Sequence, residues 1–381
     1  MANNKLHSWI RKIRMEWGFD SLAAISRLTA ISRTTAFSSI VALGSMLSSC
    51  NDLMHDDLPP CDMGVDLQFK YDYNVQRADM FNDHVGGVCV FVFDEQGNLV
   101  ARQDAANEGK FRPLKDPNYA MRIDLQPGKY RFATFAFQKK YEEALSQAGA
   151  KFHIEAPAAG ESIEKLRTRL DRNAGKVENQ ALPLDTLWQG LSNETVEVKD
   201  LQITHHTISL IRDTKQLTIS LHQLDEPADI HADDFSYQIT DANGYINYDN
   251  SLLPDEELTY TPYKTWTTEF TTPEGTVQER TAHAALMFSR LVLHPATEND
   301  KNAILSIWNK KTGEEVVRIN LADFLAQGRG AFEALNYSAQ EFLDREYDYK
   351  LDFFLKGDKW QYVKLGISIL DWSKRIQRAD L

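Results

Sequence analysis

The chain has 381 residues, with 42 basic against 55 acidic side chains and a formal net charge of −13. An acidic excess of this size excludes the basic surface that nucleic acid or anionic lipid headgroups require. No short-period repeat and no low-complexity tract occurs, which sets aside solenoids and disordered stalks.

Residues 1–33 carry Lys5, Arg11, Lys12, Arg14, Arg27 and Arg33 against Glu16 and Asp20, and Ala36–Leu47 follow without charge. A basic stretch, a short apolar stretch and small residues at its end form a secretory signal, with Met15 an alternative start that shortens the basic part. The apolar run of about a dozen residues falls short of the roughly 20 that span a bilayer, so a permanent transmembrane helix is the weaker reading. Leu47-Ser48-Ser49-Cys50 resembles a lipobox, in which the peptidase cuts before a cysteine whose thiol carries diacylglycerol. The thiol is needed for a thioether, and small neighbours let the chain thread the peptidase. The expected cofactor is none beyond this covalent lipid, and multiple acylation holds a protein at a membrane without spanning it. Residues 1–49 have a net charge of +4, which, taken from −13, leaves −17 on the chain from Cys50.

The roughly 330 residues that follow exceed what one hydrophobic core usually holds, so two domains are expected, at 63–200 and 201–381 behind a tether at 50–62. Period-two alternation dominates from Val65: Leu67, Phe69, Tyr71 and Tyr73 share one strand face. "VCVFVFD" (88–94), "EQGN" and "LVAR" read as a hairpin turning at Gly97-Asn98. Residues 119–138 read as a second hairpin turning at Pro127-Gly128. An amphipathic helix is expected at 161–172, with Ile163, Leu166 and Leu170 on one face, before "LWQGL" and the strands of 195–224. Asn243-Gly244 centres a third expected hairpin. Strand candidates follow at 283–294, 303–308 and 315–320, then short helices at 321–326 and 338–345, and a closing hairpin carrying Trp360 and Trp372. The fold class is therefore all-β with minor helices, built as β-sandwiches.

Catalytic chemistry is hard to find. His205 and His206 are neighbours on a strand and point to opposite faces, so they cannot share a metal. No zincin helix motif, paired-cysteine motif, nucleophile elbow or phosphate-cradling glycine loop is present. Asp241 to Asp249 superficially suggests a calcium loop, but Leu252 stands where the bidentate glutamate is required, and a type I′ turn at Asn243-Gly244 is the expectation. No enzyme and no metal site are expected. Cys61 and Cys89 form an even pair once Cys50 is lipidated, open to a disulfide in an oxidising compartment; equally, Cys89 is a small buried apolar residue. Tyr260, Tyr263 and Trp266 are the aromatics that would meet a glycan or protein partner, although such residues are more often core or rim packing.

The order of several weak motifs resembles the FimB-type fimbrial anchor lipoproteins of Bacteroides-like bacteria, the fimbrillin-associated anchor subunits. Behind the lipobox come Pro60-Cys61, a strand ending in Tyr71-Asp72-Tyr73-Asn74, Ala78-Asp79-Met80-Phe81 and a hairpin strand ending in Phe93-Asp94. "LQPGKYRFATF" (125–135), "LWQGL" (187–191), "LIRDTKQLTISL" (210–221) and the closing 338–372 continue the match. The resemblance implies two tandem transthyretin-like sandwiches, a lipid anchor in the outer membrane and display at the cell surface. It further implies a place at the base of a fimbrium, where the protein holds a major or minor fimbrillin stalk subunit and limits stalk length. Strand addition at an open sheet edge is the expected contact, with Lys364–Trp372 or the tail beyond it as the suspected element. The alternatives are a surface binding module or tip adhesin for glycan or host protein, and a surface hydrolase using paired carboxylates.

Overall fold

The computed structural model describes residues 63–369 and 372–379. Its opening strands follow the alternation in the sequence. β1 (Gly64–Lys70) buries Val65, Leu67 and Phe69, and β2 (Gly87–Phe93) is buried at all seven positions. β2 turns into β3 (Leu99–Ala106) at Gly97, whose φ of +79° is the left-handed conformation that a residue without Cβ adopts freely. β4 (Met121–Ile123), β5 (Gly128–Phe137), β6 (Phe152–Glu155), β7 (Arg167–Leu170), β8 (Leu187–Leu191), β9 (Val196–Val198), β10 (Ile203–Ser209) and β11 (Ile211–Arg212) complete the first set.

All of these strands except β6 and β7 form two facing sheets. One has the order β10-β1-β4, with β1 parallel to β10; the other runs β11-β8-β5-β2-β3, with β9 also on β5. Val88, Val90 and Val92 point into the core between them, where they meet Val65, Leu67, Phe132 and Trp188. Cys89, Phe91 and Phe93 point the other way, into a second core shared with Phe152, Leu166 and Leu170. A strand covered on both faces has no wet side, which is why "GVCVFVF" is continuously apolar.

The residue 119–138 segment is not a hairpin. β4 pairs with β1 and β5 with β2 and β8, so Pro127-Gly128 is a corner that carries the chain from one sheet to the other. The expected helix at 161–172 is also absent: Ile163–Lys165 is a single 3₁₀ turn and β7 follows it. Ile163, Leu166 and Leu170 are buried as expected, but so is Thr168. Leu166, Thr168 and Leu170 satisfy a period of two as well as they satisfy helical spacing, and the β-branched threonine favours the strand.

The second set begins with β12 (Lys215–Gln223), β13 (Phe235–Asp241), β14 (Tyr245–Asn247), β15 (Leu258–Tyr260), β16 (Lys264–Thr271) and β17 (Val277–Phe288). β18 (Ile304–Asn309), β19 (Glu315–Asn320), the short helices Leu321–Ala326 and Ala339–Arg345, β20 (Asp348–Lys356), β21 (Lys359–Ile369) and β22 (Trp372–Ala379) complete it. A six-stranded sheet of order β16-β17-β12-β20-β21-β22 faces a four-stranded sheet of order β15-β13-β18-β19. Leu217, Ile219, Leu221, Leu351 and Phe353 from the first pack with Tyr237, Ile239, Leu305 and Ile307 from the second.

β13 and β14 do not pair, so the expected hairpin at Asn243-Gly244 is corrected. β14 instead pairs with β7, forming the sheet β14-β7-β6 from both halves of the sequence. Gly244 serves close approach rather than a type I′ turn: a Cβ there would stand 2.4 Å from Leu258 Cδ1. β10 and β11 lie after residue 200 yet join sheets of the first set, and the strands change partners between Arg212 and Lys215.

Candidate functional site

Leu47, Ser48, Ser49, Cys50 and Cys61 lie outside the described residues. Cys89 is a free thiol, 2% exposed, and burial pushes its pKa up to about 12. It sits on the face of β2 turned away from β1, the strand that begins three residues after Cys61. A thiol held neutral in this way behaves as a small apolar side chain and is a poor nucleophile.

The six-stranded sheet offers the broadest candidate surface. Its inner residues alternate with an outward set: Trp266 and Thr268 on β16, Thr281 and His283 on β17, Ser220 and His222 on β12, Asp352 and Phe354 on β20, Tyr362 and Lys364 on β21. The register places Trp266, His283, Ser220, Asp352 and Lys364 in one cross-strand row, and Thr268, Thr281, His222, Phe354 and Tyr362 in the next. Rings in these rows stack face to face. Trp266 lies on His283 with centroids 4.9 Å apart, His222 on Phe354 at 4.7 Å, and Phe354 on Tyr362 at 4.4 Å. The Lys264 ammonium is 5.1 Å from the Trp266 centroid, and that of Lys364 is 4.4 Å from Phe354. Neighbouring cross-strand side chains of this kind stabilise a sheet face.

His283 shows what this face does chemically. Its Nε2 is 2.8 Å from Thr268 Oγ1 and its Nδ1 is 3.1 Å from Ser220 Oγ, so hydroxyls hold both ring nitrogens and no carboxylate orients the ring. Burial lowers its pKa first, and the nearby His222 lowers it further. Hydrogen bonds at both nitrogens fix the ring, and the lowered pKa favours its neutral form. Among the described residues no three His, Cys, Asp or Glu side chains are grouped as a metal site.

The three aromatics singled out in the sequence separate. Tyr260 is core, 1% exposed, and donates from its hydroxyl to Asn243 Oδ1, so it presents no ring to a partner. Tyr263 is half-buried against the core and Trp266 is half-buried on the outer face. Trp360 packs edge-on to Phe353, as a sandwich residue should. His205 and His206 do point apart: the first is exposed near Asp66 and the second is stacked on Phe132.

Both edges of this sheet are strands, β16 on one side and β22 on the other. β22 pairs with β21 from Ile369↔Trp372 to Tyr362↔Ala379, and its other edge has no strand partner among the described residues. β16 is largely exposed, with Phe270 63% exposed. Edge strands present a row of free N–H and C=O groups, the template that strand addition uses.

A polar cluster invisible to motif reading lies where the strands change partners. Lys215 is fully buried and donates to the carbonyls of Asp344 and Glu346, both at 2.9 Å. Arg290 grips Asp344 with three contacts of 2.9–3.0 Å. Arg212 lies over the rings of Tyr347 and Trp188, at 4.1 and 5.6 Å. Burial raises the pKa of Asp213 and lowers that of Lys215, and each is partly offset by neighbours of opposite charge. The signal in the sequence is "RDTK" inside a run of strand residues, where charges at successive positions must include inward-facing ones.

A family model described as fimbrillin-A associated anchor proteins Mfa1 and Mfa2 matches residues 58–378. The chain is 29% identical to a candidate adhesin of known structure from Bacteroides thetaiotaomicron, with a TM-score of 0.68 over 84% of this chain and 100% of that one. A candidate polysaccharide-binding protein from the same organism gives 28% identity and 0.64 over 83% and 99%. The fold also matches the fimbrial anchor protein Mfa2 from Porphyromonas gingivalis, at 17% identity and 0.56 over 81% and 98%. No curated protein matches the chain. A family match running through both sandwiches, on the sheets and open edges described above, gives the conclusion that the chain belongs to the fimbrillin-A associated anchor protein family.

Proposed function

We propose that this protein is a lipid-anchored fimbrial subunit that holds the stalk to the outer membrane through Cys50 and limits stalk length. Family membership supports a fimbrial anchoring role with a stalk subunit as partner and a place at the cell surface. The observation that carries the mode of contact is the position of β22, the last of the described strands and the outermost of its sheet. A stalk subunit completes that open edge with an extended segment, so the grip is non-covalent and uses backbone hydrogen bonds. The test compares wild type with Cys50→Ala by membrane fractionation, counting fimbriae on cells and in medium by electron microscopy. Shed or longer loose fimbriae support the reading; a variant that leaves the membrane with fimbriae unchanged refutes the basal role.

A second reading, a glycan-binding surface module or tip adhesin, is favoured by the stacked aromatic rows and by the polysaccharide-binding description of one structural neighbour. Affinity electrophoresis of wild type and Trp266→Ala in polysaccharide gels tests it. Retardation lost in the variant supports this reading, and no retardation of wild type removes it.

A further inference from the structure

A cavity of about 460 Å³ lies between the end of β13 and the loops 252–257 and 294–304. That volume is within the roughly 300–1,000 Å³ of ligand pockets. Leu253, Pro254 and Ile304 give it an apolar wall, and Asp241, Asp255, Glu257 and Asp300 supply carboxylates. Two basic side chains also line it, His294 and Lys301, but Lys301 is ion-paired with Glu298 at 2.8 Å. Asp255 is bound to the buried Arg172. Asp241, Glu257 and Asp300 have no ion-pair partner among the described residues.

Asp241 is the unusual member. It ends β13 on the inward face, in line with Tyr237 and Ile239, and is 7% exposed. Its carboxylate accepts from the backbone N–H of Ala242 and has no ion-pair partner among the described residues, and burial pushes its pKa up to about 7, helped by the charge of Glu257. A buried carboxylate without a cation is costly, so it holds a proton to higher pH than usual until a cation pairs it. No three ligands converge here for a metal ion. A neutral sugar would hydrogen-bond the carboxylate but leave its charge uncompensated. A long basic side chain answers both halves of the cavity, because its aliphatic stem lies on apolar surface while its head group meets an anion.

We propose that this cavity receives a lysine or arginine side chain presented by a protein partner, with the Asp241 carboxylate pairing its head group and the Leu253, Pro254 and Ile304 wall holding its stem. The inference does not depend on the anchoring role and goes beyond it by naming the chemistry of one contact. Glu257 and Asp300 at the rim draw the positive head group in, a long-range effect weakened by salt.

The test is an NMR titration of the full chain at pH 8 with Nα-acetyl-lysine methylamide and, separately, with its norleucine counterpart. The lysine compound is expected to bind about tenfold more tightly, the discrimination that one buried charge pair supplies. Asp241→Asn is expected to abolish that preference, and Glu257→Gln to weaken lysine binding about two- to threefold, as a rim charge does. Equal affinity for lysine and norleucine in wild type overturns the proposal without any variant. So does an Asp241→Asn protein that keeps the preference. Either result leaves the anchoring role untouched, since Cys50→Ala tests that separately.

Discussion

Tyr260 donates its phenolic hydrogen to Asn243 Oδ1 across 2.5 Å, and both side chains are buried. The Asn243 amide nitrogen in turn donates to the carbonyls of Ser289 and Arg290, at 3.2 and 2.9 Å. One side chain thereby ties the loop after β13 to β15 and to the exit of β17. Asn243→Ala removes one partner from each of three polar groups and should cost about 3 kcal/mol, while Tyr260→Phe should cost about 1–2 kcal/mol. Urea unfolding midpoints of the two variants check the order; an Asn243→Ala midpoint equal to wild type would show that the network contributes little.

Asp241 makes stability depend on pH in a predictable direction. Its folded pKa of about 7 lies above the ordinary aspartate value of 3.8, so the folded state holds a proton that the unfolded state has lost between those values. Its contribution therefore falls as pH rises from about 4 to about 7 and is flat above that. Asp241→Asn mimics the protonated form. Its advantage over wild type should be larger at pH 8 than at pH 5 by about 2 kcal/mol, inside the limit set by the shift. Chemical denaturation at the two pH values is the measurement, and an advantage no larger at pH 8 than at pH 5 would contradict the account.

Cys89 should resist modification in the native protein. With its thiol buried and facing away from β1, it should neither react with Ellman's reagent before unfolding nor bond to Cys61, whose reach from Met63 is about 7 Å of extended chain. Non-reducing peptide mapping decides the second point: a linked Cys61–Cys89 peptide is the contrary result.

Removing residues 373–381 deletes most of β22 and leaves β21 as the sheet edge. If the stalk is held on β22, co-purification of stalk with the truncated protein should fall at least about tenfold, the loss that follows from about 1.4 kcal/mol of binding free energy. Circular dichroism confirms that the remaining sheet is folded. Unchanged co-purification would move the contact to another edge, with β16 next in line.

Strand positions were readable wherever one face is wet, as in β1 and β20, because alternation reports the face directly. Pairing was less readable. "LQPGKYRF" has the composition of a turn whether the two strands meet each other or enter opposite sheets, and only the partners of Met121 and Phe132 decide. Asn243-Gly244 misled for a related reason: its turn chemistry is real, but Asn243 spends its side chain inside the core and Gly244 makes room for Leu258. Of the aromatic trio, the sequence carried no sign that Tyr260 faces inward, since a proline-interrupted stretch has no clear period. The Asp241 cavity was equally hidden. Its carboxylates come from three separate segments, at Asp241, at Asp255 and Glu257, and at Asp300, and "DANG" reads as a surface turn until β14 is seen to leave for β7.

β1 is paired along all seven of its residues with a parallel neighbour, β10, and along three with β4. A pull applied at Met63 along the strand therefore strains these bonds together, in shear, instead of opening them one after another like a zip. Resistance to such a pull is set by the rate of forced unfolding rather than by equilibrium stability. Under the proposed anchoring through Cys50, the chain meets its tether through a strand clamped on both sides, an arrangement suited to tension between a membrane and a filament.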